Sequence, residues 1–309
     1  MDRLRADLLL LLSAFFWGTS FLGQKEAGGA LGPLTVVALR YLVAGLLLLP
    51  LAVAEARRSS ATLSRRDWRL VGWIGLCAVG GNSFEQWGLA STSVTNAGFL
   101  TALYVVFVPF AVWGLRRMPP KWFVLLACVI CLAGAWLLTA HGVAQRWTQG
   151  DILVAAADVF WAFSIALIDL FLTSGRPFLL CVAIDVIIVL PTLAAGLLWE
   201  PLSLPDLVAA LPSTLYAGAA AGIAGGLQVI AQKHTPPAEA GLIMALQCVF
   251  AALAGALFLN DMLTPAAAVG CGLILLAVVM VEAGPLLADT LRAKMRKLKI
   301  EPRGFKRST

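Results

Sequence analysis

Phe16-Trp17-Gly18-Thr19-Ser20 and Phe160-Trp161-Ala162-Phe163-Ser164 set the same aromatic pair ahead of a serine, at a shift of 144 residues. An indole offers a broad apolar face and one N–H donor. Such a group suits non-covalent recognition of a molecule with an apolar body. Elsewhere in long apolar stretches stand Asn82, Gln86, Tyr104, Gln228 and Gln247. Amides and phenols donate and accept hydrogen bonds without reacting, so these are candidate binding residues. Arg40, Glu85 and Asp158 also fall within apolar stretches. A charge there is costly and calls for a partner, a ligand or a proton. Arg40 has three readings: reaching the interface, pairing with a carboxylate, or holding a substrate carboxylate. Glu85 or Asp158 could pair with it, hold an amino group or carry a proton.

Bond-breaking chemistry finds no support. No phosphate-cradling G-x-x-x-x-G-K-[ST] loop occurs. The two histidines, His141 and His234, have no metal-ligand spacing, so no metal and no cofactor is expected. Cys128 and Cys131 form a C-x-x-C on an apolar stretch without a nearby histidine or carboxylate, which reads as packing. No catalytic residue is assigned and the chain is not expected to be an enzyme.

The elements that must position these residues are membrane-spanning helices. Of 309 residues, 60% are hydrophobic and 13% charged. A soluble domain carries about 25% charged residues. The apolar runs have the length of about 20 residues that a helix needs to cross hydrocarbon. Ten spans are expected, over 8–26, 33–54, 68–88, 95–114, 121–139, 151–172, 177–198, 211–231, 238–258 and 264–283. Hydrocarbon leaves backbone N–H and C=O groups without partners, which requires helices or a closed barrel. The alternating segments of a barrel do not occur. An N-terminus inside puts twenty Lys and Arg on the cytoplasmic side and only Lys25 and Arg146 outside. That bias places both termini in the cytoplasm. The net charge of +6 then reports topology, not affinity for nucleic acid. The basic segment 284–309 is expected as a cytoplasmic tail, either solvated or touching anionic lipid.

A second match joins the first. "TNAGFLTALYVVFVPFA" (95–111) lies over "AEAGLIMALQCVFAALA" (238–254) at a shift of 143, with Tyr104 over Gln247 and, upstream, Glu85 over Gln228. These two regions define two halves of five helices each. An odd number inverts the second half in the membrane, a frequent plan of secondary transporters that places the substrate site between the halves. Trp17 and Trp161 then either line a central cavity or fill it as packing residues. Gly80-Gly81 and Gly225-Gly226 occupy corresponding helices and are candidate hinges.

The ten helices, the two halves, F-W-G-x-S in the first helix, and N-A-G-F and E-A-G-L opening the fourth and ninth resemble the drug/metabolite transporter superfamily. The likeness is to its EamA-type exporters, and among them to the bacterial aromatic amino-acid exporters of the YddG type. It covers 7–140 and 150–283. The second half departs from the pattern, with Ala162 and Phe163 where Gly18 and Thr19 stand. The resemblance implies an all-α membrane protein of ten helices in two inverted five-helix repeats, in the bacterial cytoplasmic membrane. It implies a cavity lined by helices one, three, four, six, eight and nine. Asp185 on the seventh is accordingly expected to be structural. The implied activity is export of small metabolites, with neutral and aromatic amino acids as the leading class. Other metabolites or hydrophobic drugs on the same fold are the alternative, and a non-transporting scaffold or sensor is a third reading. The expected partners are a small-molecule substrate, lipid and, through small-residue ridges, a second copy in a homodimer.

Overall fold

The computed structural model describes residues 2–58, 63–139, 148–172, 175–259, 265–266 and 268–280. Among them every regular element is helical. The helices are α1 (Arg3–Ala27), α2 (Pro33–Arg58), α3 (Arg65–Ser91), α4 (Val94–Thr101), α5 (Tyr104–Arg116), α6 (Trp122–Thr139), α7 (Gln149–Phe171), α8 (Pro177–Trp199), α9 (Leu204–Ala231), α10 (Pro237–Met244), α11 (Gln247–Phe258) and α12 (Ala268–Met280). Seven spans are long and apolar enough to cross a membrane, counting Ala97–Arg116 and Pro237–Phe258 each as one. α3 is 27 residues long but more polar, and α6 and α12 contain shorter apolar segments. The basic tail 284–309 and the segment carrying His141 and Arg146 lie outside the described residues.

The starts of several helices are written locally. Asp2 caps α1, accepting from the Arg5 amide at 3.1 Å. Ser64 with Asp67 and Thr148 with Asp151 form reciprocal capping boxes on α3 and α7. Each satisfies two of the amides that a helix start leaves open. Two further starts are capped from afar. Glu200 at the end of α8 accepts from the Leu34 and Thr35 amides of α2 at 2.8 and 2.9 Å. Glu55 near the end of α2 accepts from the Leu179 amide of α8 at 2.9 Å. α2 and α8 thus lie antiparallel, each carrying the carboxylate that caps the other.

Two expected spans are interrupted. Between α4 and α5, the amides of Ala102 and Leu103 bond to carbonyls three residues back, Phe99 and Leu100, at 2.9 Å. Between α10 and α11, Ala245 bonds to Leu242 and Leu246 to Ile243 in the same manner. These are tighter 3₁₀-type turns, and they fall at positions related by the shift of 143. Just beyond the first, Pro109 cannot donate to the Val105 carbonyl. The Cys128 thiol on α6 reaches that carbonyl at 3.4 Å. One cysteine of the C-x-x-C therefore satisfies a backbone group that proline leaves open.

α1 packs along α9, α3 along α7 and α2 along α8. Small residues set the closest approaches. A Cβ on Gly18 would lie 2.4 Å from the Gln247 carbonyl oxygen, and one on Gly88 would lie 2.6 Å from that of Gly150. Large apolar side chains cover the outside, Trp122, Trp199 and Leu257 among them, as lipid-facing helices require. The ends of the molecule are tied by polar contacts. At one end Arg3 donates to Glu239 at 2.7 Å, Lys121 stands 3.7 Å from Glu239, and the Thr235 hydroxyl donates to Asp7 at 2.7 Å. At the other end Lys25 donates to the Leu89 and Thr92 carbonyls, and the Thr92 hydroxyl donates to Asp151 at 2.6 Å. α1 separates the two ends by ~37 Å, from 25 residues at 1.5 Å each.

Candidate functional site

Nine of the ten tryptophans are described, and they divide cleanly. Trp68, Trp73, Trp87, Trp113, Trp122, Trp136 and Trp199 are exposed on the outer surface. Trp17 and Trp161 are only partly exposed and face inward. Both line a central cavity. Each indole N–H finds a partner across the cavity wall. Trp17 Nε1 donates to Gln228 Oε1 at 3.2 Å, and Trp161 Nε1 donates to Glu85 Oε2 at 3.0 Å. Trp17 matches Trp161 at a shift of 144, and Glu85 matches Gln228 at 143. The two hydrogen bonds therefore occupy related positions, one running from α1 to α9 and the other from α7 to α3.

The helical breaks shape the same space. Thr101 and Tyr104 flank one break, Met244 and Gln247 the other, and all four line the cavity. Tyr104 donates to the Gly241 carbonyl at 3.3 Å, tying α5 to α10. Ser20 and Gln24 on α1, Ser164 on α7 and Gly225 on α9 complete much of the polar and small lining.

Of the residues singled out in the sequence, Trp17, Glu85, Tyr104, Trp161, Gln228 and Gln247 line the cavity together. Asn82 and Gln86 do not, although they share a helix face with Glu85. Asn82 accepts from Arg40 and, at 2.8 Å, from the Tyr41 hydroxyl, while its own amide bonds to Ala78. Gln86 donates to the Gln24 carbonyl at 3.2 Å, where it fixes α3 to α1. Arg40 is 1% exposed and sits behind Tyr41, outside the lining. Its guanidinium also lies 4.8 Å from the Tyr41 ring, a cation–π contact. No carboxylate among the described residues is within salt-bridge distance of Arg40, so neither interface contact nor direct pairing explains it. Asp158 is fully buried beside the cavity, and neither oxygen has a hydrogen-bond partner.

Three cavity residues escaped the sequence reading. Asp185 lines the cavity with Cys181, Ile184 and Ile188, so α8 contributes a wall where the resemblance implied no direct substrate contact. Tyr41 lines it from α2, and Gln24 from α1. Asp185 and Tyr41 are themselves related by the shift of 144, which was the available signal. The glycine pairs also differ from expectation in detail. α3 and α9 run unbroken through them. Gly80 and Gly81 abut the rings of Phe160 and Trp161, Gly226 touches Leu48, and Gly225 has open space beside it.

The family model for EamA-like transporters matches residues 4–140 and again 148–283. The chain belongs to the EamA-like transporter family. Both matched segments carry one tryptophan of the cavity pair, so the site of this EamA-like protein draws on both. An uncharacterized transporter of Archaeoglobus fulgidus is 28% identical over 282 residues, covering 91% of this chain and 87% of that one. The uncharacterized transporter YwfM of Bacillus subtilis is 26% identical over 293 residues, covering 93% and 97%. One solved structure shares the fold with a TM-score of 0.76 at 18% identity, over 94% of this chain and 99% of its own. The protein is a multi-pass membrane protein of a transporter family.

Proposed function

We propose that this EamA-like protein exports small amphipathic metabolites by alternating access, with neutral and aromatic amino acids as the leading substrates. In this reading α4/α5 and α10/α11 each make one crossing, α3, α6 and α12 cross as well, and the ten crossings form two inverted halves. Both termini face the cytoplasm of a bacterial cell. The observation that carries the reading is the pair of related hydrogen bonds, Trp17 to Gln228 and Trp161 to Glu85, on one central cavity. A scaffold has no use for polar groups held at symmetric positions in the membrane interior, where they are costly. A carrier whose halves exchange conformations does. Trp17 and Trp161 form an apolar clamp, and Tyr104, Gln228 and Gln247 supply hydrogen bonds. Asn82, Gln86 and Arg40 support the wall from behind.

Two further contacts favour exchange between related shapes. Thr92 to Asp151 at one end and Thr235 to Asp7 at the other are also related, at shifts of 143 and 144. Each would hold its own end closed. The breaks at 102–103 and 245–246 join the glycine pairs as pivots. Of the four glycines, Gly225 has room to move, while Gly80 and Gly81 set helix spacing.

Proteoliposomes loaded with labelled amino acids, other metabolites and amphipathic dyes test the reading. Efflux of aromatic and neutral amino acids above empty liposomes is expected. Efflux of dyes alone would transfer the reading to drug export, and no flux of any solute would favour the scaffold.

A further inference from the structure

Two carboxylates line the cavity, and each has a neutral counterpart in the other half: Glu85 matches Gln228 and Asp185 matches Tyr41. Glu85 on α3 and Asp185 on α8 both line the cavity and are 5% and 7% exposed. The Tyr41 hydroxyl donates to Asn82, one turn before Glu85 on α3, and the Asp185 side chain packs against Gly45, one turn beyond Tyr41 on α2. Glu85 Oε2 accepts from Trp161, and Asp185 Oδ2 has no hydrogen-bond partner. Asp158 on α7 is a third buried carboxylate, and neither of its oxygens has a hydrogen-bond partner among the described residues.

Arg40 bonds through Nη2 to Asn82 and Tyr41 and does not line the cavity. Among the described residues no Lys, Arg or His lines it. Of the described charged side chains, a molecule in the cavity therefore meets two carboxylates and no cation. Carboxylates without a directly paired cation are costly in a membrane interior, and a ligand bringing positive charge relieves that cost. An indole beside the site adds a face that attracts cations.

We infer that this wall recognises a positively charged nitrogen, an ammonium group on an apolar body, set between Glu85 and Asp185 beside Trp161. The inference rests on the reading of the cavity as the transport site. Tyr41 from α2, Tyr104 from α5 and Cys181 from α8 share the cavity lining with these carboxylates, while Arg40 on α2 and Asp158 on α7 are buried outside it. For an α-amino acid the other end has a complement as well. Trp17 occupies the Gln228 carbonyl oxygen, which leaves the Gln228 amide nitrogen as a donor for the substrate carboxylate.

Thermal unfolding of the purified full chain in detergent tests this with three ligands of one phenyl body. They are 2-phenylethylamine, its N,N,N-trimethyl derivative and 3-phenylpropionate. Both cations should raise the unfolding midpoint while the acid leaves it unchanged at equal concentration. Glu85→Gln and Asp185→Asn should each weaken cation binding at least tenfold. If one variant does not fold, the other and the ligand series on the unaltered chain still decide. Equal stabilisation by the acid overturns the inference and leaves the cavity reading intact. Stabilisation by none of the three overturns both. If the trimethyl compound fails while lower pH alone stabilises the protein, the wall takes a proton, and the ammonium assignment is wrong.

Discussion

Trp161 with Glu85 and Trp17 with Gln228 share one geometry and differ in one atom type. In each, an indole donates to a side chain on a neighbouring helix, at 3.0 and 3.2 Å. In the first the acceptor is a carboxylate, in the second an amide. The duplicated fold supplies position and direction, and divergence within it supplies chemistry. A cavity built from two such halves is equivalent in shape and unequal in charge. On the function proposed above, that inequality would suit a molecule with two different ends.

The largest effect is expected where the halves differ in packing. Gly18 meets the Gln247 carbonyl and Phe250 so closely that an added Cβ has no room, whereas the related residue is Ala162. Gly18→Leu should abolish recovery of folded protein, measured by size-exclusion chromatography in detergent. Ala162→Gly should cost only about 1 kcal/mol, the helix-propensity difference. A well-folded Gly18→Leu protein would show that α1 and α11 do not approach as described.

Next in size are substitutions that make the two sites alike. Glu85→Gln leaves an amide in both halves and should reduce flux of amino acids at least tenfold, a change of ~1.4 kcal/mol in binding. Gln228→Glu places a carboxylate in both and removes the donor assigned to the substrate carboxylate. It should lower the affinity for zwitterions while sparing simple amines. Competition by amines and amino acids in one flux assay separates the two outcomes.

A smaller effect distinguishes the ends. Thr92→Val and Thr235→Val each remove a hydrogen bond to a carboxylate, a contact worth ~1.5–3 kcal/mol when sheltered. The end at Asp7 is also held by Arg3, Glu239 and Lys121, so Thr235→Val should lower thermal stability less than Thr92→Val. High salt should narrow the gap by screening the ion pairs. The smallest effect concerns orientation alone. A cysteine at Leu202 should react with an impermeant thiol reagent added to intact cells, and one at Arg58 should not, with transport unchanged in both.

Much of the fold was legible because hydrocarbon imposes its own length scale on a helix. The apolar runs and the self-match at 143–144 follow from composition and short-range chemistry. The breaks at 102–103 and 245–246 were not legible, because no proline or glycine occupies either. At the site, Trp17, Tyr104, Trp161, Gln228 and Gln247 stood out by residue type and by symmetry. Asn82 and Gln86 shared the right face of α3 with Glu85, yet Arg40, Tyr41 and the Gln24 carbonyl claim them. Those partners belong to other helices, so spacing along α3 carries no trace of them. Asp185 was passed over because the resemblance implied no substrate contact from its helix, and its symmetric partner Tyr41 had not been placed at the site either.

The central claim is that Trp17 and Trp161 clamp the transported molecule. Its most direct test is flux of labelled phenylalanine and alanine in proteoliposomes containing Trp17→Ala or Trp161→Ala, with expression and thermal stability measured in parallel. An aromatic contact adds ~0.5–1.5 kcal/mol beyond area burial. Each variant should therefore lose about tenfold in phenylalanine flux, and less in alanine flux, with the folded fraction unchanged. Normal flux of both substrates in both variants at unaltered expression would contradict the account.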